Sequence, residues 1–587
     1  MAVIGNPFNM IVLISLVLLI CLVVVPLCSV VGTTFTLAKT EARRAGGEIG
    51  TFTLYYWKYL LASNMSEAIF FKPLMQSLLI AVGTCLISVP VGSVMAWLMV
   101  RSDIPGKRIL STLVIVPYMI PSWVKSMSWL SVFRNSTSGS LGLLAGLGVN
   151  VPDWLAYGPV AIILVMSLHY YAFSYIMVSS TLSSINSELE EMGEIQGASK
   201  GMIIRKITLP LVLPALLSAI IMTLSKSIGS YGVAANLGLR IGYFTLATRM
   251  KDYMGSGVKG VSYAMALMMV VLASGCLYAN KLLTGTRKSY ATIGGKGGRS
   301  TLVSLGKARY PMMIALILFM VVALVLPMLV LVLESFQIRT GGGYALDNLT
   351  TFFWVGKLDD ELAWLSYPGV FNNPEFLSAL WNTVRLTVIA SVITAFCGQF
   401  FGYISSRGRG KWYGTLTEQL VFVPYLVPSI AFSAIFLAMF SRKIGPIPSL
   451  YGTFALLVLV SVVKHFPMAS RAGTANMMQI SGELEEAADI AGASFWRRMA
   501  KVVIPLAKNG FFSGFTLVFI SIAKELDLIA LLMTPSTRTL SYLSFYYSSE
   551  SLPQMADAIS IIIISFILIS YWCSNKFFHA DVTKSMG

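Results

Sequence analysis

Charge is what this 587-residue chain is short of: Asp, Glu, Lys and Arg make up 12% of it, against 56% hydrophobic residues. Soluble domains carry about 25% charged residues, so a water-exposed globular fold would have nowhere to put this much apolar surface. Histidine is scarce, with three in the chain, and the six cysteines include no CxxC pair. That argues against a disulfide frame or a zinc site. Cys21, Cys28, Cys85, Cys276, Cys397 and Cys573 read instead as small apolar residues in helices. No GxxxxGK[ST] phosphate loop occurs; Gly294–Gly298 and Gly408–Lys411 are flexible basic stretches that merely look similar. The chain therefore has no ATP cradle of the usual kind. Its net charge of +17 would suit nucleic acid, but no basic patch with interleaved aromatics is present. Such an excess arises without any partner when basic residues collect in the cytoplasmic loops of a membrane protein.

What the chain does have is apolar stretches near the roughly 20 residues that one helical crossing needs. They fall near 10–32, 75–100, 109–133, 158–180, 208–228 and 261–282, then near 312–334, 378–404, 417–441, 453–471, 504–531 and 556–575. The first has no Lys or Arg before it and no clear cleavage site after it, so it reads as a retained helix. With the N-terminus inside, Arg101, Lys107 and Arg108 are cytoplasmic, as are Lys200, Arg205 and Lys206, Arg407, Arg409 and Lys411, and Arg497, Arg498 and Lys501. The basic linker (Lys281, Arg287, Lys288, Lys296, Arg299, Lys307, Arg309) also comes out inside. The short loops agree on one orientation, with both termini cytoplasmic. The expected fold is an all-α polytopic membrane protein of about twelve spans, in two six-helix halves (1–282 and 311–587) joined by a Gly/Ser/Lys-rich cytoplasmic linker, 283–310.

An internal repeat supports the division. Glu188-Leu-Glu-Glu-Met-Gly-Glu-Ile-Gln-Gly197-Ala198-Ser199 matches Glu483-Leu-Glu-Glu-Ala-Ala-Asp-Ile-Ala-Gly492-Ala493-Ser494 at an offset of 295 residues, which also pairs Pro210 with Pro505. Upstream, Val116-Pro-Tyr-Met-Ile-Pro-Ser122 pairs with Val423-Pro-Tyr-Leu-Val-Pro-Ser429 at an offset of 307. The first half thus carries extra residues between the two motifs, and Asn135–Asn150 is the place for them. The prolines read as helix kinks more than as a gate. His169 and His465, one per half, read as hydrogen-bonded structural residues and not as metal ligands.

Each acidic segment (188–210 and 483–505) begins with acids and ends in bases before a proline-marked helix start, as a short helix aligned with its dipole would. Gly197 and Gly492 suit the helix end, where positive φ is common. These segments resemble the EAA loop of binding-protein-dependent, type I ABC importer permeases. Glu486, Ala487, Ala488 and Gly492 match that loop residue for residue, while the first half keeps Glu191 and Gly197 but has Met192 and Gly193 at the two alanine positions. Both halves lack the family's Phe seven residues after the Gly, with Ile204 and Met499 there.

The resemblance implies that Glu188, Glu191, Gly197 and Ala198, with Glu483, Glu486, Ala487, Ala488, Gly492 and Ala493, form paired coupling helices. They would dock on two copies of a separate ABC ATPase subunit, which bind ATP and Mg; this chain itself would carry no cofactor and catalyse nothing. It implies an extracytoplasmic substrate-binding protein as a further partner, and a bacterial inner-membrane location. The second half, Trp381 to Met533, resembles the ferric-iron branch. Relatives of the same build move aminoethylphosphonate, thiamine, polyamines or sugar phosphates. A gradient-driven six-plus-six transporter would explain the repeat but not the two acidic helices, and a non-transporting membrane scaffold would have no use for charges inside its spans.

Lys226, Ser230 and Tyr231 in the first half and Lys524, Glu525 and Asp527 in the second fall at the ends of the fifth spans. Charge in an apolar stretch faces either a polar cavity or the interface, and the resemblance favours the translocation path. Two long outer segments, Gly32–Phe71 and Gln337–Pro374, remain. The second carries Asp347, Asp359, Asp360 and Glu361 with Phe352, Phe353, Trp354 and Trp364, a mixture that suits protein docking if those aromatics are exposed.

Overall fold

A computed structural model describes residues 7–139, 141–185, 188–285, 302–343, 345–358, 367–446 and 448–578. Most of the linker, with Arg287, Lys288, Lys296 and Arg299, lies outside the described residues, as do Asp359, Asp360, Glu361 and Trp364 and the two termini.

The first half runs α1 (Pro7–Thr34), α2 (Glu67–Arg101), α3 (Lys107–Met119), α4 (Ser122–Phe133) and α5 (Gly158–Ser184). It continues with α6 (Glu188–Ile195), α7 (Leu209–Ile228), α8 (Leu246–Gly255) and α9 (Lys259–Gly285). The second half repeats the order: α10 (Gly306–Ser335), α11 (Pro374–Arg407), α12 (Trp412–Leu426), α13 (Ser429–Phe440) and α14 (Phe454–Gln479). Then come α15 (Gly482–Ile490), α16 (Ile504–Ala523), α17 (Leu540–Ser549) and α18 (Pro553–Phe578). Among the described residues nine helices are long and apolar enough to cross a membrane, or up to twelve if each bent pair counts as one span.

The prolines do more than kink. α3 and α4 meet at 91°, and α12 and α13 at 104°, with Pro121 and Pro428 at the breaks. Proline cannot donate the next helical hydrogen bond, and it forces the residue before it out of the helical region; Ile120 and Val427 are accordingly extended. Elsewhere proline is accommodated by widening. Five π-helical turns (Ile20–Val24, Glu67–Phe71, Ile204–Thr208, Val321–Val325, Met499–Val503) each stand just before a proline: Pro26, Pro73, Pro210, Pro327 and Pro505. The longer ring moves the carbonyl that the pyrrolidine would strike.

Each half is built on a tight pair, α2 on α5 and α11 on α14, where glycine removes the side chain. A Cβ at Gly92 would sit 2.3 Å from the Tyr171 carbonyl oxygen, and one at Gly398 would sit 2.4 Å from Ala469 Cβ. With no apolar driving force between helices in lipid, such close backbone approach is what gives packing. The leading helices cross over. α1 places Phe8 edge-on against Tyr403 and Tyr413 of the second half, and α10 sets Phe319 edge-on against Tyr171 of the first.

Several expectations need correction. The fifth span of the second half ends at Ala523, not 531, so Lys524–Asp527 lie in the turn beyond it. Phe352 and Phe353 are buried, and Trp354 is half-buried with its Nε1 donating to Ser335 Oγ at 3.2 Å. Phe352 and Phe353, two of the aromatics that favoured docking on the second outer segment, are therefore core residues, on a stretch that packs against α18. The extra residues of the first half lie between α4 and α5, as the spacing required.

Candidate functional site

α6 and α15 lie at the same end of the molecule as the ends of α2 and α11. Arg101 approaches Glu190 at 3.7 Å and donates to the Ile185 carbonyl at 3.0 Å; Arg407 donates to Glu485 at 2.5 and 2.9 Å and to the Ile480 carbonyl at 3.1 Å. Thr208 and Tyr403 hydroxyls donate to the same two glutamates, at 2.7 and 2.8 Å. Each surface helix is thus pinned to a span by one acid that the sequence reading had not singled out. Glu483 and Glu486 face outward, Glu188 is exposed, and Glu191 is half-buried.

The helices end as expected at glycines of positive φ, +80° at Gly197 and +76° at Gly492. Ala198 N–H reaches back to the Gly193 carbonyl and Ala493 N–H to Ala488, closing the last turn. Gly193, where the repeat has Ala488, is buried against Ile203 and Ile207. Ala487 faces outward and Ala488 is half-buried. The tips present Ile195 and Ile490, 85% and 89% exposed, an apolar pair with no cover among the described residues. The described end of the linker is clipped to this same end: Leu305 N–H and Ser304 Oγ donate to Asp103, at 2.8 and 3.2 Å. The Leu305 amide foremost holds that half-buried carboxyl below the usual carboxylate range.

A polar cavity of about 110 Å³ occupies the middle, where the two broken spans meet the ends of α7 and α16. Lys226, Lys464 and Lys524 line it with Glu525, Asp527 and both histidines. Tyr118 and Tyr425, the tyrosines of the repeated motif, complete it in a reciprocal arrangement. Lys524 of the second half lies 4.0 Å from the Tyr118 ring of the first, and Lys226 of the first half lies 4.9 Å from the Tyr425 ring of the second. The helix breaks leave carbonyls without partners, and ammonium groups take them, as expected at the negative end of a helix. Lys524 donates to the Tyr118 carbonyl at 2.8 Å; Lys464 donates to the carbonyls of Pro424, at 2.9 Å, and Val427. Lys125, just outside the lining, donates to the Leu168 carbonyl at 2.9 Å.

On the side away from the surface helices the halves close on each other. Gly232 N–H donates to Asp527 Oδ1 at 2.9 Å, Trp123 Nε1 donates to the Lys524 carbonyl at 3.3 Å, and a Cβ at Gly229 would stand 2.5 Å from Pro428 Cβ. Farther out, Arg134 of α4's end donates to buried Glu334 of α10 at 2.8 Å. Toward the surface helices the cavity continues into an apolar collar that includes Met119, Phe173, Met177, Leu517 and Ile520.

The structure thus brings Lys226, Lys524, Glu525 and Asp527 together but not Ser230 or Tyr231, which are buried behind the lining. Tyr231 Oη instead accepts from Lys251 at 2.8 Å. His465 Nδ1 bonds the Ser461 carbonyl at 2.8 Å, as a structural histidine should, whereas His169 Nδ1 has no partner among the described residues. Sequence reasoning passed over Lys464, although a lone lysine in an apolar span is a signal in itself. Among the described residues no group of three or more His, Cys, Asp or Glu is placed to hold a metal.

The family model of the binding-protein-dependent transport system inner membrane component matches residues 88–283 and 398–578. The chain is 24% identical to a putative ferric transport system permease protein of Haemophilus influenzae over 428 residues, 72% of this chain and 64% of the relative. It is 21% identical to an Fe(3+)-transport system permease protein of the same organism over 524 residues, 87% of this chain and 92% of the relative. A sulfate transport system permease protein of Salmonella typhimurium is 27% identical over 188 residues, 32% of this chain and 65% of the relative. The chain thus spans just under two thirds of the first ferric relative and most of the second. Among solved structures, a chain of a bacterial ABC transporter that imports alginate matches with a TM-score of 0.36 at 15% identity, covering 46% of this chain and 95% of that one.

Proposed function

The chain belongs to the inner membrane components of binding-protein-dependent transport systems, and from that premise we propose that it is the fused permease of an ATP-driven importer whose cargo is ferric iron. The observation that carries the reading is the pair of surface helices. α6 and α15 expose matched apolar tips while Arg101–Glu190 and Arg407–Glu485 tie each to a span. A partner that pushed on both tips would move both halves. Two ATPase subunits, each binding ATP and Mg, fit those tips through Glu188, Glu191, Gly197 and Ala198 on one side and Glu483, Glu486, Ala487, Ala488, Gly492 and Ala493 on the other. Both termini and the linker then face the cytoplasm, and a substrate-binding protein delivers cargo at the opposite face. Lys226, Lys524, Glu525 and Asp527 line the route; Ser230 and Tyr231 act behind it. Ferric iron is favoured by the similarity to a ferric permease over nearly that relative's whole length.

The test is radiolabelled iron uptake and ATP hydrolysis in proteoliposomes holding permease, ATPase and binding protein. Gly492→Pro, which the positive φ forbids, and Glu486→Arg should both abolish uptake and detach or uncouple the ATPase, scored by co-purification. Uptake that persists with no ATPase present would instead establish a gradient-driven carrier. ATP-dependent uptake of aminoethylphosphonate, thiamine, a polyamine or a sugar phosphate, without iron, would keep the importer and replace the cargo.

A further inference from the structure

We propose that iron crosses this permease still bound to an oxyanion, a phosphate or a polycarboxylate, and that Lys226 and His169 receive that oxyanion in the central cavity. The inference rests on the ferric reading above.

The cavity's lining sets three lysines against two carboxylates. A bare ferric ion is a hard cation that wants several oxygen ligands, carboxylates foremost. Both carboxylates here are already engaged by backbone N–H groups: Asp527 Oδ1 from Gly232 at 2.9 Å and Glu525 Oε1 from Leu528 at 3.2 Å. A naked cation in this space would meet ammonium groups at close range in a medium that screens them poorly. An oxyanion-clad ferric complex presents acceptor oxygens instead, and lysine is a common binder of such groups.

The three lysines are not equivalent. Lys464 and Lys524 donate to carbonyls freed by the helix breaks and are held there. Lys226 rests on the Tyr425 ring at 4.9 Å and makes no hydrogen bond among the described residues, so its donors are open to a cargo. His169, 6% exposed, belongs to the same lining with its ring stacked on Tyr118, and its Nδ1 has no hydrogen-bond partner among the described residues. A buried polar atom left unpaired is costly, and the site is built so that a transient ligand answers it. The position matching Lys226 in the second half is Ser521, also in the lining. The donors therefore stand mainly on one wall.

The experiment uses the complete importer, with its ATPase and binding protein, in proteoliposomes. Iron-55 is supplied with phosphorus-32 phosphate in one arm and with carbon-14 citrate in the other. Co-uptake of iron with one labelled oxyanion, at a constant ratio across iron concentrations, is the expected result, and the arm in which it occurs identifies the oxyanion. Iron entering without either label overturns this inference and leaves the ferric reading intact. Oxyanion entering without any dependence on iron overturns the ferric reading itself. Lys226→Met should raise the KM for iron uptake roughly ten-fold, the scale of one lost charge-assisted contact, and Lys226→Arg should restore it to within about two-fold. An unchanged KM in Lys226→Met would also overturn the proposal, whatever the double-label result.

Discussion

At the membrane surface the two halves match position by position: Glu190 with Glu485, Arg101 with Arg407, Gly197 with Gly492, and a π turn before Pro210 as before Pro505. In the centre the 295-residue offset that pairs the surface glutamates and glycines sets Gly229 against Lys524, Ser230 against Glu525, Gly232 against Asp527 and His169 against Lys464. Two copies of one partner would impose the first pattern, since each copy presents the same groove. A single cargo on the axis between the halves would impose no such identity. On the proposed function, the repeat would separate what is shared with a duplicated ATPase from what is fitted to a single cargo.

The comparison breaks first where it rests on the scaffold. Gly92 and Gly398 do the same work in each half, so Gly92→Leu and Gly398→Leu should have equal effects. A side chain forced to within 2.3–2.4 Å of the facing helix exceeds ordinary overpacking, which alone costs about 1–3 kcal/mol. Both variants should fail to give monodisperse protein on size-exclusion in detergent. If one assembles normally, the halves are not structurally equivalent even where they look it.

The centre supplies a sharper case. Gly229→Ala puts a methyl 2.5 Å from Pro428 Cβ, a clash worth about 1–3 kcal/mol that should lower the unfolding temperature. Lys524→Ala, at the matching position, removes the partner of the Tyr118 carbonyl but creates no clash. It should lower uptake several-fold more than it lowers stability. Equal thermal losses for the two would show that Lys524 is only a helix cap.

Much of this was legible in the sequence. The spans, the repeat, the surface helices and their glycine ends follow from apolar run length and residue type, because lipid leaves the backbone few options. The right-angled breaks at Pro121 and Pro428 were not legible, since a proline in a span bends it or breaks it according to whether something else takes the freed carbonyls. Here Lys464 and Lys524 do, from distant sequence. Nor did local pattern foretell that Ser230 would turn away from the cavity beside Lys226, or that Phe352 and Phe353 would be covered. Each depends on which neighbour arrives, and α1 and α10 cross to the opposite half.

The smallest effect tests the surface match. A Cβ at Gly197 or at Gly492 would meet nothing within 4 Å, so an alanine at either place costs only backbone strain at φ +80° or +76°. An L-residue there costs about 1 kcal/mol, equivalent to roughly five-fold in an equilibrium constant. Because the strain is the same and the tips are equally bare, Gly197→Ala and Gly492→Ala should weaken ATPase binding by the same factor when titrated in detergent, and the double variant should lose about the square of it. A large difference between the two single variants would mean that Gly193, packed on Ile203 and Ile207 where the repeat has Ala488, changes how the first surface helix is held. The surface symmetry would then be one of shape without being one of energy.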